Sequence, residues 1–110
     1  MINISRFDKN TAVGGHNDTI LASEVLPKGM TAPFGHAWGY LESGKEMEGH
    51  AHPTTEIYMV FAGTGTVVVG DERAKVSCGD VIEIPANVYH TMICDENTTL
   101  LWNALWWENI

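Results

Sequence analysis

The chain has 110 residues, of which 45% are hydrophobic and 18% charged, a balance that fits one globular core and excludes a disordered chain. Its formal charge is −8, from six Lys and Arg against fourteen Asp and Glu. Arg6, Lys9, Lys28, Lys45, Arg73 and Lys75 stand singly, so the surface repels phosphate backbones and anionic lipid, and neither nucleic acid nor a membrane is expected as a partner.

The N-terminal run Met-Ile-Asn-Ile-Ser-Arg-Phe-Asp lacks a basic stretch followed by a long apolar one, so no signal peptide is expected. No apolar run reaches the length of a membrane span. The two cysteines, Cys78 and Cys94, are too few for a disulfide framework, and the expected location is the cytoplasm. One unit covering residues 1–110 is expected. The first thirty residues are weakly patterned, with Gly14-Gly15 and Pro27-Lys28-Gly29 as turn signals and His16 as a solvated loop residue. From Pro33 onward, short β-prone runs alternate with Gly, Pro, Asn and Asp, which predicts an all-β sandwich or barrel. The predicted strands are Phe34–Glu42, Glu56–Ala62, Gly65–Val69, Arg73–Val76, Val81–Ile84, Val88–Cys94 and Thr99–Trp107. Gly70-Asp71-Glu72 and Ser77-Cys78-Gly79-Asp80 are the turns among them. A closed barrel both shelters a site and removes exposed strand edges.

On the first of these strands His36, Trp38 and Tyr40 share one face, either toward a ligand pocket or toward another copy of the chain. The last strand carries Trp102 and Trp106 on one face and Trp107 on the other. Its outward face therefore needs cover, from a second copy or from the N-terminal segment. The alternating Ile2 and Ile4 are a candidate edge strand at such an interface.

The chemistry lies between these strands. His50 and His52 are two residues apart, so on extended backbone they project to one face, about 7 Å apart at the backbone. Glu56 follows at an even offset and can return to that face. His90 sits on a later strand, with Val88 and Met92 on its own face. Imidazole suits zinc, copper, iron and nickel, and a carboxylate adds affinity for manganese and iron. Three His and one Glu would leave two positions of an octahedral ion free, as a catalytic site requires. Tyr58 shares the face of Glu56, where it either fills the core or donates a proton or hydrogen bond inside the pocket.

The spacing Gly44, five residues, His50, one, His52, three, Glu56, six, Gly63 resembles the first motif of the cupin superfamily, and every fixed position is filled. The run Gly79, five residues, Pro85, one, Asn87, two, His90, three, Cys94 resembles the second motif with two departures, Asn87 for the usual Gly and Cys94 for the usual Asn. Asn tolerates left-handed backbone, so the first departure need not disturb the turn. Cys94 lies on the face of His90 and is expected to point into the barrel, too far along to share the same ion. The resemblance spans residues 34–107. It implies an antiparallel double-stranded β-helix, or jelly-roll barrel, in which His50, His52, Glu56 and His90 hold one divalent transition metal (Fe, Mn, Zn, Ni or Cu).

Two functions follow from that resemblance. The first is a metalloenzyme acting on a small oxygenated metabolite as a dioxygenase, isomerase or lyase, with Glu56 and Tyr58 as catalytic residues. The second is a non-catalytic module that binds a small molecule as a sensor or carrier. Sparse basic residues weigh against a sugar-phosphate substrate. Family habit also implies a homodimer.

Overall fold

In the computed structural model, which describes residues 1–108, β-branched and aromatic runs between turn residues form nine strands. They are β1 (Val13–Gly15), β2 (Ile20–Ser23), β3 (Gly35–Leu41), β4 (Thr55–Ala62), β5 (Thr64–Val69), β6 (Glu72–Ser77), β7 (Val81–Ile84), β8 (His90–Cys94) and β9 (Leu100–Trp107). Residues 109 and 110 of the expected unit lie outside the described residues. Every pairing is antiparallel. One sheet has the order β1-β2-β3-β9-β4-β7 and the other the order β6-β5-β8. This is the expected jelly roll.

The seven predicted strands lie within two residues of β3 to β9 at each end. Val88 and Tyr89 fall outside β8 because their backbone serves a turn: Val88 N–H donates to Pro85, and the Tyr89 carbonyl accepts from Gly70 N–H. β1 and β2 come from the weakly patterned N-terminus, where Gly14 and Gly15 hide the period of a short hairpin. Segment 45–50 also joins the small sheet without forming a named strand. Met47 N–H donates to Met92 O at 2.9 Å, and His50 and His90 exchange both backbone hydrogen bonds, at 3.1 and 2.9 Å. That exchange brings the two sequence motifs side by side.

The core follows strand alternation. On β4 Glu56, Tyr58 and Val60 are buried, and on β9 Leu100, Trp102 and Ala104 are buried. β3 supplies the room for the tryptophans, because Gly39 and Gly35 stand opposite Trp102 and Trp106 in the register. A Cβ on Gly39 would lie 2.4 Å from the Trp102 ring, and one on Gly35 would lie 2.0 Å from the Trp106 ring. The other face of β3 points outward. There Trp38 and Tyr40 meet Phe7, with ring centroids 6.2 and 5.4 Å apart, and Phe61 packs edge-on against Trp38 at 4.9 Å. His36 Nδ1 accepts from Val25 N–H at 3.0 Å. The N-terminal segment thus covers much of this face, while Trp38 also borders the inner cavity beside the site and Tyr40 borders a separate surface pocket with Asp18 and Glu42. Ile2 and Ile4 do not form a strand in the single chain; both are exposed.

Candidate metal centre

Three elements deliver the site. Segment 45–50 and the bend after it carry His50 and His52, the start of β4 carries Glu56, and β8 opens with His90. One ligand atom from each of His50, His52 and His90 lies within 4.8 Å of the others. Glu56 Oε1 is 2.9 Å from His52 Nε2 and 3.3 Å from His90 Nε2. His90 is wholly buried and Glu56 is 6% exposed, whereas His50 and His52 sit nearer the mouth.

The backbone fixes which nitrogen of each ring faces inward. His50 Nδ1 donates to Glu48 O at 3.0 Å, His52 Nδ1 to Thr54 O at 3.1 Å, and His90 Nδ1 to Val88 O at 2.9 Å. With the proton held on Nδ1, each ring turns an Nε2 lone pair toward the shared space, a tautomer assigned from these acceptors. Carbonyls that anchor the outer nitrogen in this way are the usual support of metal-binding histidines. His90 Nε2 is buried and makes no hydrogen bond to the described residues, since its approach to Glu56 lacks hydrogen-bond geometry. The Glu56 carboxylate is buried, and its ion-pair partners among the described residues are imidazoles alone. Lone pairs and a buried carboxylate that converge to 2.9 and 3.3 Å repel one another unless a proton or a metal cation lies between them. The donor set therefore fits a divalent ion.

Burial, followed by the neighbouring His90, holds the His50 pKa below the ordinary histidine value, although the Glu48 carbonyl opposes this. Tyr58 is buried behind the site, with its ring 5.9 Å from that of His90 and 5.8 Å from that of Trp102. Burial and then the Glu56 charge push its hydroxyl well above the ordinary tyrosine value, so it keeps its proton. Two spaces adjoin these residues. An outer pocket of about 360 Å³ is lined by His16, His50, His52, Pro53, Thr54, Glu56 and Trp106. An inner cavity of about 110 Å³ is lined by Ile20, Met47, Tyr58, Trp102 and Trp106 among others, and both spaces touch His16 and Glu56.

His16 corrects the sequence reading. It is exposed in a turn, as expected, yet its ring is stacked on that of His50, with centroids 3.9 Å apart and planes 16° apart. Desolvation and then His50 lower its pKa. The Gly-Gly-His-Asn-Asp run carried a signal for the turn, because His, Asn and Asp are the side chains that best tolerate positive φ. Nothing in the run showed where the turn would dock. Cys94 points inward as expected but is packed in the core cluster, with Sγ against the Thr98 carbonyl at 3.3 Å, and lines neither space at the site. Asn87 has φ 64°, the left-handed backbone its substitution for Gly demands.

The sequence profile Cupin_2, the cupin domain, matches residues 37–108. The chain belongs to the cupin family. Among solved structures, this cupin resembles a Cupin 2 conserved barrel domain protein from Salinispora arenicola at 23% identity and a TM-score of 0.85, over 98% of this chain and 90% of that one. It resembles the plu4264 protein from Photorhabdus luminescens at 28% identity and a TM-score of 0.85, over 99% of this chain and 90% of that one. A predicted oxalate decarboxylase from Thermotoga maritima shares the fold at 22% identity and a TM-score of 0.73, over 82% of this chain and 81% of that one. A search of curated proteins gives no significant match.

Proposed function

We propose that this cupin holds one divalent transition metal through His50, His52, His90 and Glu56, and acts on a small oxygenated metabolite as a dioxygenase, isomerase or lyase. The observation that carries this reading is the convergence of three Nε2 lone pairs on a buried carboxylate, with each outer nitrogen anchored by a carbonyl. A bound divalent ion supplies a Lewis acid that polarises a carbonyl or enol oxygen. The protein's own part is to orient the ligand and keep water out. Trp106 walls both spaces, Tyr58 offers a hydroxyl proton from the buried side, and Glu56 stands where the two spaces meet.

Elemental analysis of protein purified without a metal-binding tag tests the reading directly. Near-stoichiometric metal that is lost in His50→Ala/His52→Ala supports it. A protein that stays metal-free and takes up no added ion sinks it. Glu56→Gln and Tyr58→Phe test the two catalytic assignments, and unchanged turnover in either variant removes that residue from the mechanism.

A second reading, a sensor or carrier that binds without turnover, is favoured by the lining itself. Apart from His50, His52, Glu56, Tyr58 and His16, the described residues around both spaces are apolar, Gly or Thr. Saturable binding without product separates the two. A homodimer is supported by exposed Met1, Ile2, Ile4, Phe61, Val81 and Trp107. The unpaired thiols of Cys78 and Cys94 are in keeping with a reducing cytoplasm.

A further inference from the structure

The β1–β2 hairpin lies before the stretch that matches the family profile, yet it ends inside the site. Its tip, His16-Asn17-Asp18, holds three successive non-glycine residues at positive φ: 49°, 57° and 61°. Such backbone is costly for residues with a Cβ and persists only where surrounding contacts fix it. The contacts are present. Asn17 Nδ2 donates to both carboxylate oxygens of Glu48, at 2.9 and 2.7 Å, and Glu48 N–H donates to Thr19 Oγ1 at 2.8 Å. Thr19 Oγ1 in turn donates to His16 O at 2.7 Å. Glu48 is also the residue whose carbonyl anchors His50. The strained tip is thereby clamped to the segment that carries the first site histidine, and the clamp sets the His16 ring against the His50 ring.

His16 is not placed as a fourth metal donor. An imidazole binds an ion in its own ring plane, and two rings stacked at 16° with centroids 3.9 Å apart cannot both aim at one ion. Neither ring nitrogen of His16 makes a hydrogen bond to the described residues, although the ring borders both the outer pocket and the inner cavity. The side chain is thus placed at the site by the stack on His50, with its ring nitrogens unused by the described residues.

We infer that His16 is a ligand-contacting residue, which hydrogen-bonds an oxygen or nitrogen of the small molecule chelated at the metal and so selects among ligands. This rests on the metal reading above. The lining also fixes the ligand class. None of the six basic residues borders either space, so a second anionic group finds no cation. Trp106, Trp102, Met47 and Ile20 offer an apolar wall instead. The ligand is an O,O-chelating molecule with no charged group beyond the one that can lose a proton on chelation, and with a small apolar body, such as an α-hydroxyketone, a β-dicarbonyl or a hydroxamic acid.

The test uses the Co(II)-loaded full chain, whose visible absorption reports coordination independently of turnover, titrated with benzohydroxamic acid. His16→Phe keeps a ring on His50 and removes the hydrogen bonds, and His16→Asn keeps a polar side chain that tolerates left-handed backbone. Expected are Co(II) affinities within about twofold of the parent in both variants, and hydroxamate affinity lower by about tenfold in His16→Phe and partly restored in His16→Asn. Oxalate, with two charges, is expected to bind the parent more weakly than the hydroxamate. Equal hydroxamate affinity in His16→Phe and parent overturns the inference alone. A parent that takes up no Co(II) overturns the metal reading and this inference with it.

Discussion

Each site histidine is oriented by a carbonyl only two residues away: Glu48 for His50, Thr54 for His52 and Val88 for His90. The tautomer is therefore a local property of three short backbone segments. His52 has a further contact, since the Thr54 hydroxyl lies 2.9 Å from the same Nδ1. Thr54→Val removes that contact and leaves the carbonyl, and it is expected to weaken metal affinity by roughly 10-fold, measured by competition with a chromophoric chelator. The cysteines give a second expected outcome. Cys78 is exposed, whereas Cys94 is buried and burial pushes its thiol up. One thiol is expected to react with Ellman's reagent in the native protein and two in denaturant. Reading the residue scale from sequence worked where spacing carries direction. The even offsets among His50, His52 and Glu56 placed them on one face, and all three face one space. It failed for His16, because the contact with His50 spans the fold and no local spacing encodes it.

Among the elements, β3 and β9 show how glycine can decide where aromatic bulk goes. Gly35 and Gly39 recur at a spacing of four on the inward face of β3, and each lies opposite a tryptophan of β9. The sequence showed the tryptophans sharing a face, but their seats were invisible because a glycine in a strand ordinarily reads as a weakness. Gly39→Ala would set a methyl 2.4 Å from the Trp102 ring, which is itself 2% exposed. The expected loss is about 1–3 kcal/mol in denaturant unfolding, as for other overpacked cores. Gly63 is fixed for a different reason: its φ is 85°, and a Cβ would meet the Thr99 carbonyl oxygen at 1.7 Å. β4 to β7 were legible because alternation and turn residues are local signals. β1 and β2 were not, since each is at most four residues long and most of their side chains are small or only partly buried.

For the molecule as a whole, the site ties stability to pH. His16 and His50 titrate below the ordinary histidine value in the folded chain, chiefly because the partial desolvation of their stacked rings disfavours the cation. Unfolding returns both to that value, about 6.5. Below it the unfolded chain binds more protons, so stability is full at higher pH and declines as pH falls through the ordinary histidine range. The metal-free protein is expected to melt at a lower temperature near pH 5.5 than near pH 7.5, with a shallower dependence in His50→Asn. Differential scanning calorimetry in the presence of a chelator measures this. Oligomeric state also belongs at this scale: sedimentation at high micromolar concentration is expected to give a dimer, and a monomer there removes that proposal.

The hairpin built from residues 13–23 stands apart in sequence from the stretch that supplies His50, His52, Glu56 and His90, and reaches the site through the Glu48 clamp. On the proposed reading, the four metal donors and the His16 ligand contact consequently lie in separable passages of the sequence. Variation confined to the hairpin can retune what the pocket accepts while the donor set stays untouched. If His16 contacts the ligand as proposed, exchanging this one loop between barrels alters selectivity while the four proposed donors stay in place.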